Sequence, residues 1–321
     1  MNTFPLPDGT LLSERLKTAK TGDDILVHDC SSVNIMKGGV IDWYGGFYGV
    51  AIRVNGNIFI NNTFITDNAA HWYPHPQGIV QVYDKEIIIN GKTEISLAEC
   101  STPMSIGGGP FSFGSDMYLC KWGVLSKTKE GLFLDGKLYF EGDDYSFSVV
   151  STGIVIVNKR NVFLRNKKVV TLPKKCSIFS SHPQGVLTKR NRSLYLNNEE
   201  PVFTGEMPGQ NHYWNHPKGI VTVSAWTARI SKLRYMLNGK TLLLEDEFSS
   251  SALPHDQGAY IRARNDDMYI NKTKFIAKEE WRDCPISKSQ CPYGALILRD
   301  NKIYLRVYKE YLTEDLYTPL Q

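Results

Sequence analysis

An alternation of apolar and polar stretches recurs along this chain of 321 residues. Each copy starts with a glycine and a short apolar run, passes through polar residues, and reaches a triplet of apolar residues nine positions after the glycine. The copies start at Gly49, Gly78, Gly123, Gly153, Gly185, Gly219, Gly258 and Gly294. The triplet comes ten positions after Gly258 and, because of an insertion, sixteen after Gly219. Such a conserved spacing within one chain identifies a repeat protein.

Each repeat predicts an antiparallel hairpin. The run after the glycine, such as GIVIV at 153–157, is typical of a strand buried on both faces. The triplet is rich in β-branched and aromatic residues, which favour strands. Asn90-Gly91, Asp135-Gly136 and Asn238-Gly239 follow their triplets and predict two-residue turns with positive φ at both positions. Another strand follows each turn, so each repeat is a meander of at least three strands, with room for a fourth.

The spacing of the repeats indicates the fold class. Successive glycines lie 29 to 45 residues apart, which is too uneven for stacked solenoid coils and suits blades of three or four antiparallel strands. We predict an all-β protein: one β-propeller of about eight blades (seven to nine), forming a single domain over residues 1–321. The repeats occupy about residues 22–312. A β-sandwich or a trefoil of hairpins is the alternative.

The N-terminal segment lies outside the repeat. Residues 1–21 form an extension, in which residues 13–20 predict a short helix capped by Ser13 and ended by Gly22. Residues 24–41 resemble a degenerate ninth hairpin. Pairing of this segment with the last blade would cover two exposed sheet edges. We therefore predict that the N-terminal segment closes the propeller; a simple extension on the first blade is the alternative.

Composition and charge exclude several classes of protein. With 42% hydrophobic residues the chain can bury a large core, while a net charge of +4 is too small to indicate nucleic-acid binding by itself. A long apolar span and an apolar leader are both missing, so we expect no membrane partner and a cytoplasmic location. Six scattered cysteines form no CxxC pair. Cys284 and Cys291 flank a loop that a disulfide could close, or both remain reduced thiols.

A histidine stands three residues before the glycine in four repeats, and these side chains are candidate ligand-binding residues. They are His75, His182, His216 and His255. Neutral imidazoles that converge could bind a transition metal, and protonated ones could bind an anion. The alternative is a turn histidine that caps a strand and packs on the neighbouring blade.

Aromatic residues accompany these histidines. Trp72 precedes His75 and Trp214 precedes His216 in equivalent loops. Exposed, they would provide platforms for sugars or anchors for a protein partner; buried, they would pack between blades. Two long loops, 97–118 and 225–234, lie near these positions and are further candidates for recognition.

Neither a catalytic nor a cofactor motif is evident. No carboxylate recurs in a register that would bring two together for glycoside hydrolysis, and no GxSxG points to a serine nucleophile. The glycines at 107–109 lack the Lys-Ser/Thr and the strand–helix context of a phosphate loop. We therefore expect no cofactor and no metal.

The hairpin unit resembles the DKNYY-type repeat of bacterial proteins. The matching segments are YDKEIIINGK (83–92), NKRNVFLRNKK (158–168), RNDDMYIN (264–271) and RDNKIYL (299–305). The likeness covers roughly residues 49–312. It implies a bacterial β-rich repeat protein that binds other proteins and brings no catalytic residues with it.

Two classes of function follow. The first is a non-catalytic propeller that binds a protein partner through one face; a toxin-neutralising immunity protein or antagonist is one form of it, by analogy of fold alone. The second is a carbohydrate-binding or carbohydrate-hydrolysing propeller, a lectin or glycosidase, that uses the Trp and His loops as subsites.

Overall fold

Antiparallel strands account for nearly all of the regular structure, as the repeat predicts. The structure, a computed structural model, describes residues 4–31, 40–46, 49–67, 72–83, 86–91, 93–94, 112–113, 117–120, 122–199, 201–204, 213–225, 232–247, 251–281, 292–311 and 320. In this part of the chain the strands form eight sheets, which are the blades of a β-propeller. The chain separates into two compact units; the single domain over 1–321 stays a prediction.

Four blades lie in unit 1, which comprises Met1–Asp144, Pro285–Val307 and Tyr317–Gln321. Its first strands are β1 (Asp24–Asp29), β2 (Val40–Gly46), β3 (Gly49–Val54), β4 (Asn57–Ile60), β5 (Thr63–Thr66), β6 (Trp72–His75), β7 (Gly78–Tyr83), β8 (Glu86–Ile89) and β9 (Thr93–Glu94). They are followed by β10 (Ser112–Phe113), β11 (Met117–Cys120), β12 (Gly123–Lys127), β13 (Gly131–Leu134) and β14 (Lys137–Glu141). Blade 1 is β2 to β5, blade 2 is β6 to β9, and blade 3 is β10 to β14, each in chain order.

Four more blades form unit 2, which comprises Tyr145–Cys284 and Tyr308–Leu316. Blade 4 contains β15 (Tyr145–Val150), β16 (Gly153–Asn158), β17 (Asn161–Leu164) and β18 (Lys167–Thr171). Blade 5 contains β19 (Ser177–His182), β20 (Gly185–Arg190), β21 (Ser193–Leu196) and β22 (Pro201–Thr204). Blade 6 contains β23 (Tyr213–His216), β24 (Gly219–Ala225), β25 (Lys232–Leu237) and β26 (Thr241–Glu247). Blade 7 contains β27 (Ser251–His255), β28 (Gly258–Arg262), β29 (Met268–Ile270) and β30 (Thr273–Ile276).

Blade 8 belongs to unit 1 and unites both ends of the chain. It contains β31 (Gly294–Arg299) and β32 (Lys302–Val307), and β1 pairs antiparallel with β32. The predicted pairing of the N-terminal segment with the last blade is thus present, while closure of the propeller stays a prediction. β1 and β2 belong to different sheets, and the predicted ninth hairpin over 24–41 stays a prediction, because its second arm falls in a segment that the structure does not describe. Residues 32–39 lie outside the described part.

Each repeat glycine begins the strand that is most deeply buried, as the apolar runs predict. In β16 and in β20 the first four residues are all buried. A two-residue turn precedes the glycine, so that His182 pairs directly with Gly185 and His216 with Gly219. The fourth strand for which the repeat left room is the one before this turn. Because strands alternate in direction, the pre-glycine turns and the turns after the triplets lie at one end of each sheet; this end is called the glycine end below.

The predicted Asn-Gly and Asp-Gly turns are confirmed in their backbone conformation, but only Asp135-Gly136 is a two-residue connection; the other two are one residue longer, since Ile89 pairs with Thr93 and Leu237 with Thr241. Asn90-Gly91, Asp135-Gly136 and Asn238-Gly239 have positive φ at both residues, between +50° and +76°. Each joins two antiparallel strands. This geometry has the twist that an antiparallel hairpin requires.

In six repeats, the first residue of the turn after the triplet also forms a hydrogen bond with the backbone next to the repeat glycine. Its side-chain oxygen accepts a hydrogen bond of 2.8–3.0 Å from the backbone N–H of the residue after the repeat glycine. The residues that do this are Asn61, Asn90, Asp135, Asn197, Asn238 and Asn271. Their partner glycines have φ between +131° and +139°. In blade 4 Arg165 takes this position and Gly153 has no positive φ.

Helix is confined to two short segments of the described residues: α1 (Leu12–Thr18) in unit 1 and α2 (Lys278–Trp281) in unit 2. The predicted N-terminal helix is confirmed, but Ser13 lies inside it and does not cap it. It starts after Leu11, whose N–H donates to the Glu14 carboxylate at 3.2 Å, and it buries Leu12 and Leu16. Neither helix has the length and hydropathy needed to span a bilayer.

Candidate functional site

Each of the four pre-glycine histidines makes the same type of hydrogen bond. In each, Nδ1 accepts from the backbone N–H two residues ahead, at 2.9–3.1 Å. Accepting at Nδ1 requires that the proton of the neutral ring be on Nε2. Each imidazole therefore caps its own turn in a defined tautomer.

In two of the four histidines the other ring nitrogen connects neighbouring blades, whereas Nε2 of His216 has no hydrogen-bond partner among the described residues. Nε2 of His182 in blade 5 donates to the carbonyl oxygens of His216 and Gly219 in blade 6, at 3.1 and 2.9 Å. Nε2 of His75 in blade 2 lies 3.1 Å from Oδ1 of Asp135 in blade 3. In this geometry the histidine caps a strand and packs on the next blade, which is the structural alternative that the sequence left open.

Burial limits what these side chains offer to a ligand. His75, His182, His216, His255 and Trp72 are all buried. Trp214 is half-buried, and its ring centroid lies 6.3 Å from that of Tyr235 within an apolar cluster of blades 6 and 7. Ligand binding by these six residues stays a prediction, and in the structure as it stands they support the turns rather than project from them.

Beside the buried histidines a groove opens at the glycine end of unit 2, with a volume of about 620 Å³. Residues between the histidine position and the glycine line it in all four blades of the unit: Ser151, Thr152, Pro183, Gln184, Pro217 and Asp256. The turns after the triplets and the neighbouring strands add Leu164, Val169, Leu196, Asn197, Glu199, Val202 and Tyr311. The pre-glycine loops of consecutive blades thus form one continuous recess.

Apolar walls and a polar rim characterise this groove. Leu164, Val169, Leu196 and Val202 are half-buried or exposed apolar side chains, and Val169 has 38% of its surface exposed. The backbone around them is held firmly, since Asn197 Nδ2 donates to the Gln184 carbonyl at 2.8 Å. A volume of several hundred cubic ångströms with convergent polar groups is typical of binding sites.

Tyr311 connects the groove with a buried polar cluster. Its ring lies edge-on to His216, with centroids 4.7 Å apart, and Lys218 Nζ is 5.1 Å from its centroid. Behind it, the Tyr308 hydroxyl donates to Glu310 Oε2 at 2.5 Å. Tyr311 is therefore fixed from one side and contributes its remaining surface to the groove.

The pKa shifts show that this cluster holds its histidine neutral. Burial lowers the pKa of His216 to about 4; the Glu310 carboxylate opposes this shift and Lys218 adds to it. Burial would raise the pKa of Glu310, but hydrogen bonds from the Tyr308 and Tyr311 hydroxyls outweigh it and the net shift is downward. Burial and Glu310 raise the pKa of Tyr311 to about 12. At neutral pH the cluster therefore contains a neutral imidazole and a carboxylate.

Some predicted features fall outside the described residues. These are the loop 97–118 apart from strand residues 112–113 and 117–118, the segment 226–231 of the insertion, and both Cys284 and Cys291. Among the residues that the structure describes, no three His, Cys, Asp or Glu side chains are close enough to hold a metal ion.

The sequence did not reveal the groove-lining residues. Leu164 and Leu196 end the apolar triplets and so indicated only strands, and Tyr311 follows β32, the last strand, in a stretch without a recognised motif. The sequence indicated only where the groove lies, because the pre-glycine histidines mark the end of the sheets at which it opens.

Comparison of the chain with protein-family models and with curated proteins finds no match.

Proposed function

We propose that this chain is a non-catalytic propeller that binds a protein partner in the groove at the glycine end of unit 2. The observation that carries the proposal is the composition of the groove, in which apolar side chains of the third and fourth strands of blades 4 and 5 are surrounded by polar turn residues. An apolar centre with a polar rim is the arrangement found in protein–protein interfaces. The exposed Val169 and the half-buried Leu196 are the anchors we assign to the partner.

The groove favours a protein over a glycan. Among the described residues that line the groove, Tyr311 is the single aromatic one, and His216 already contacts its ring. The two tryptophans considered as sugar platforms, Trp72 and Trp214, do not line it. A peptide or a loop with apolar side chains matches the walls better than a sugar ring does.

The DKNYY-type resemblance supports a bacterial origin and a role in binding proteins. A toxin-neutralising immunity protein or antagonist, acting in the cytoplasm, is the biological form that we propose for it. The proposal of an immunity protein or antagonist depends on the sequence alone, and the groove neither supports nor opposes it.

A matched pair of substitutions tests the groove. Peptides selected from a displayed random library on the purified protein would be measured by calorimetry against Val169→Asp and Leu242→Asp. Both residues are exposed apolar strand positions of unit 2, at 38% and 49%, but Leu242 does not line the groove. We expect Val169→Asp to weaken binding about tenfold or more, and Leu242→Asp to leave it unchanged.

Three results would contradict the proposal. Selection could yield no peptide that binds, or both variants could bind equally well. Saturable binding of sugars, with or without turnover, that Val169→Asp abolishes would favour the carbohydrate class instead.

A further inference from the structure

The lysines and arginines of this chain are distributed unevenly. Residues 145–198 contain ten of them and no aspartate or glutamate, so this segment has a charge of +10 in a chain whose total is +4. The remainder of the chain must then have a net charge of −6. The segment covers blade 4 and the first three strands of blade 5. The four strands of blade 4 and the first three strands of blade 5 therefore contain charges of one sign only.

Topology concentrates most of these charges at one end. Because the strands alternate in direction, the β16–β17 turn, the link between β18 and β19, and the β20–β21 turn all lie at the end opposite to the groove. The basic residues at these three places are Lys159, Arg160, Lys174, Lys175, Lys189, Arg190 and Arg192. All seven are exposed. They define what we call the basic end of blades 4 and 5.

The seven side chains of the basic end are not neutralised by ion pairs among the described residues. Arg190 contacts neutral groups only, namely the Tyr195 ring at 5.0 Å from its centroid and the side-chain oxygen of Asn198. Clustered like charges destabilise a folded protein by mutual repulsion. A surface that keeps seven of them together is thus suited to an anionic partner.

Blade 7 of the same unit provides the contrast. There Arg262 pairs with Asp266 at 2.6 Å and Lys274 pairs with Asp267 at 2.6 Å. Two of its basic side chains are thus neutralised within the blade. The basic end of blades 4 and 5 differs from blade 7 in this respect.

We propose that the basic end is a second docking surface, which binds a protein with an acidic surface. Ile178 lies next to these charges, one residue along β19 from Ser177, which pairs with Lys189, and it exposes 40% of its surface. An apolar contact surrounded by charges suits an acidic protein that carries apolar side chains. Complementary charge would speed association and make it sensitive to salt.

A nucleic acid fits the basic end less well. Single strands are bound by aromatic platforms on which bases stack, and the large apolar side chains exposed in the described part of unit 2 are Val149, Val169, Ile178 and Leu242, none of them aromatic. The positive region is also limited to three chain connections in two blades, whereas a duplex tracks charge along an extended path.

Two pairs of adjacent lysines in this segment give a matched test. Lys174→Glu with Lys175→Glu alters the basic end, and Lys167→Glu with Lys168→Glu alters the glycine end by the same charge. All four lysines are exposed. The probes are a labelled peptide of 20 residues that alternates glutamate with leucine, and a 20-base-pair DNA duplex. Binding is measured by fluorescence anisotropy at low and at high salt.

The expected result is loss of peptide affinity by about tenfold in the 174/175 variant, and by less than about twofold in the 167/168 variant. Salt should weaken binding to the wild type. Replacing the leucines of the peptide by alanine should weaken binding to the wild type but not to Ile178→Ser.

Other outcomes overturn the proposal. Equal losses in the two lysine variants would mean that the region has no defined docking surface. Duplex DNA that binds more tightly than the peptide, and that the 174/175 variant releases, would assign the basic end to nucleic acid. Because the 174/175 variant leaves Val169 and the groove unaltered, the failure of this proposal and that of the groove proposal are distinguishable.

Discussion

Asn197 occupies the space that a side chain at Gly185 would need. Its Oδ1 accepts the N–H of Val186 at 3.0 Å, and its amide lies against the glycine Cα. The glycine has φ of +137°, where residues with a Cβ are strained. The repeat glycine and the asparagine twelve residues later are thus one structural unit.

Gly185→Ala should therefore be far more destabilising than Gly153→Ala. At Gly185 the new Cβ would strain the backbone and displace Asn197, for a loss of about 3 kcal/mol. Gly153 has no positive φ, and its Cβ would meet Cγ of Arg165 at 2.7 Å and Cδ1 of Leu164 at 3.5 Å, so the Arg165 side chain would have to shift but the backbone would not be strained. Urea denaturation measures both variants; equal losses would refute the coupling between Asn197 and Gly185.

The two Asn-Gly turns at Gly91 and Gly239 should also respond differently to alanine. Both glycines have φ of +67°, so the backbone strain is the same, about 1–2 kcal/mol. At Gly239 the Cβ would also approach the ring of Phe203 to 2.8 Å, whereas at Gly91 the nearest atom is Gln81 Oε1 at 3.5 Å. We expect Gly239→Ala to lower the free energy of unfolding by about 1 kcal/mol more.

The thermal melting temperatures of Gly91→Ala and Gly239→Ala test this prediction. A larger loss for Gly91→Ala would show that Phe203 moves away freely.

Stability should fall as the pH is lowered from about 6.5 to 4. Burial lowers the folded-state pKa of His216 to about 4 from 6.5, so folding favours the neutral ring. This stability is fully present above pH 6.5 and is lost as the pH falls towards 4, amounting to about 3 kcal/mol at most. Urea midpoints measured across this range should show the decline.

The variant His216→Gln removes the titrating group and should flatten that decline. His182 provides the comparison, because burial also lowers its pKa. An unchanged pH profile in His216→Gln would mean that the folded protein tolerates the protonated ring at this position.

Asp24→Asn should cost more than Glu245→Gln, although both changes remove one carboxylate charge. Asp24 accepts from Nε and Nη2 of Arg306 at 2.8 and 3.1 Å, and the two side chains expose only 18% and 11%. Arg234, the partner of Glu245, is 48% exposed. We expect losses of about 2 kcal/mol for Asp24→Asn and below about 1 kcal/mol for Glu245→Gln. Equal losses in chemical denaturation would contradict this ranking.

The sequence predicted the regular structure well because its signals are local. The repeat glycines begin strands, and Asn90-Gly91 and its equivalents form the turns, since alternation and turn chemistry act within a few residues. The number of blades followed from counting the glycines. Ser13 does not cap the helix, because the helix starts before it, after Leu11, and the Glu14 carboxylate accepts the Leu11 N–H there. The sequence pattern alone does not decide between these two helix starts.

The candidate site was harder to predict because it depends on contacts between blades. Whether a tryptophan such as Trp72 is a platform or a core residue depends on what the adjacent sheet places over it. The groove gathers residues from four blades and Tyr311, with no shared motif. The charge imbalance of residues 145–198 is visible in the sequence, but the whole-chain sum of +4 conceals it.

The pairing of β1 with β32 has a consequence for the order of assembly in the cell. Asp24 and Arg306 are 282 residues apart, whereas the strands of the other seven blades follow one another directly. At a synthesis rate of about 5–20 residues per second, β1 emerges from the ribosome roughly 15 to 60 s before its partner. The other blades can form as their hairpins appear, while β1 must wait unpaired until β32 has been synthesised.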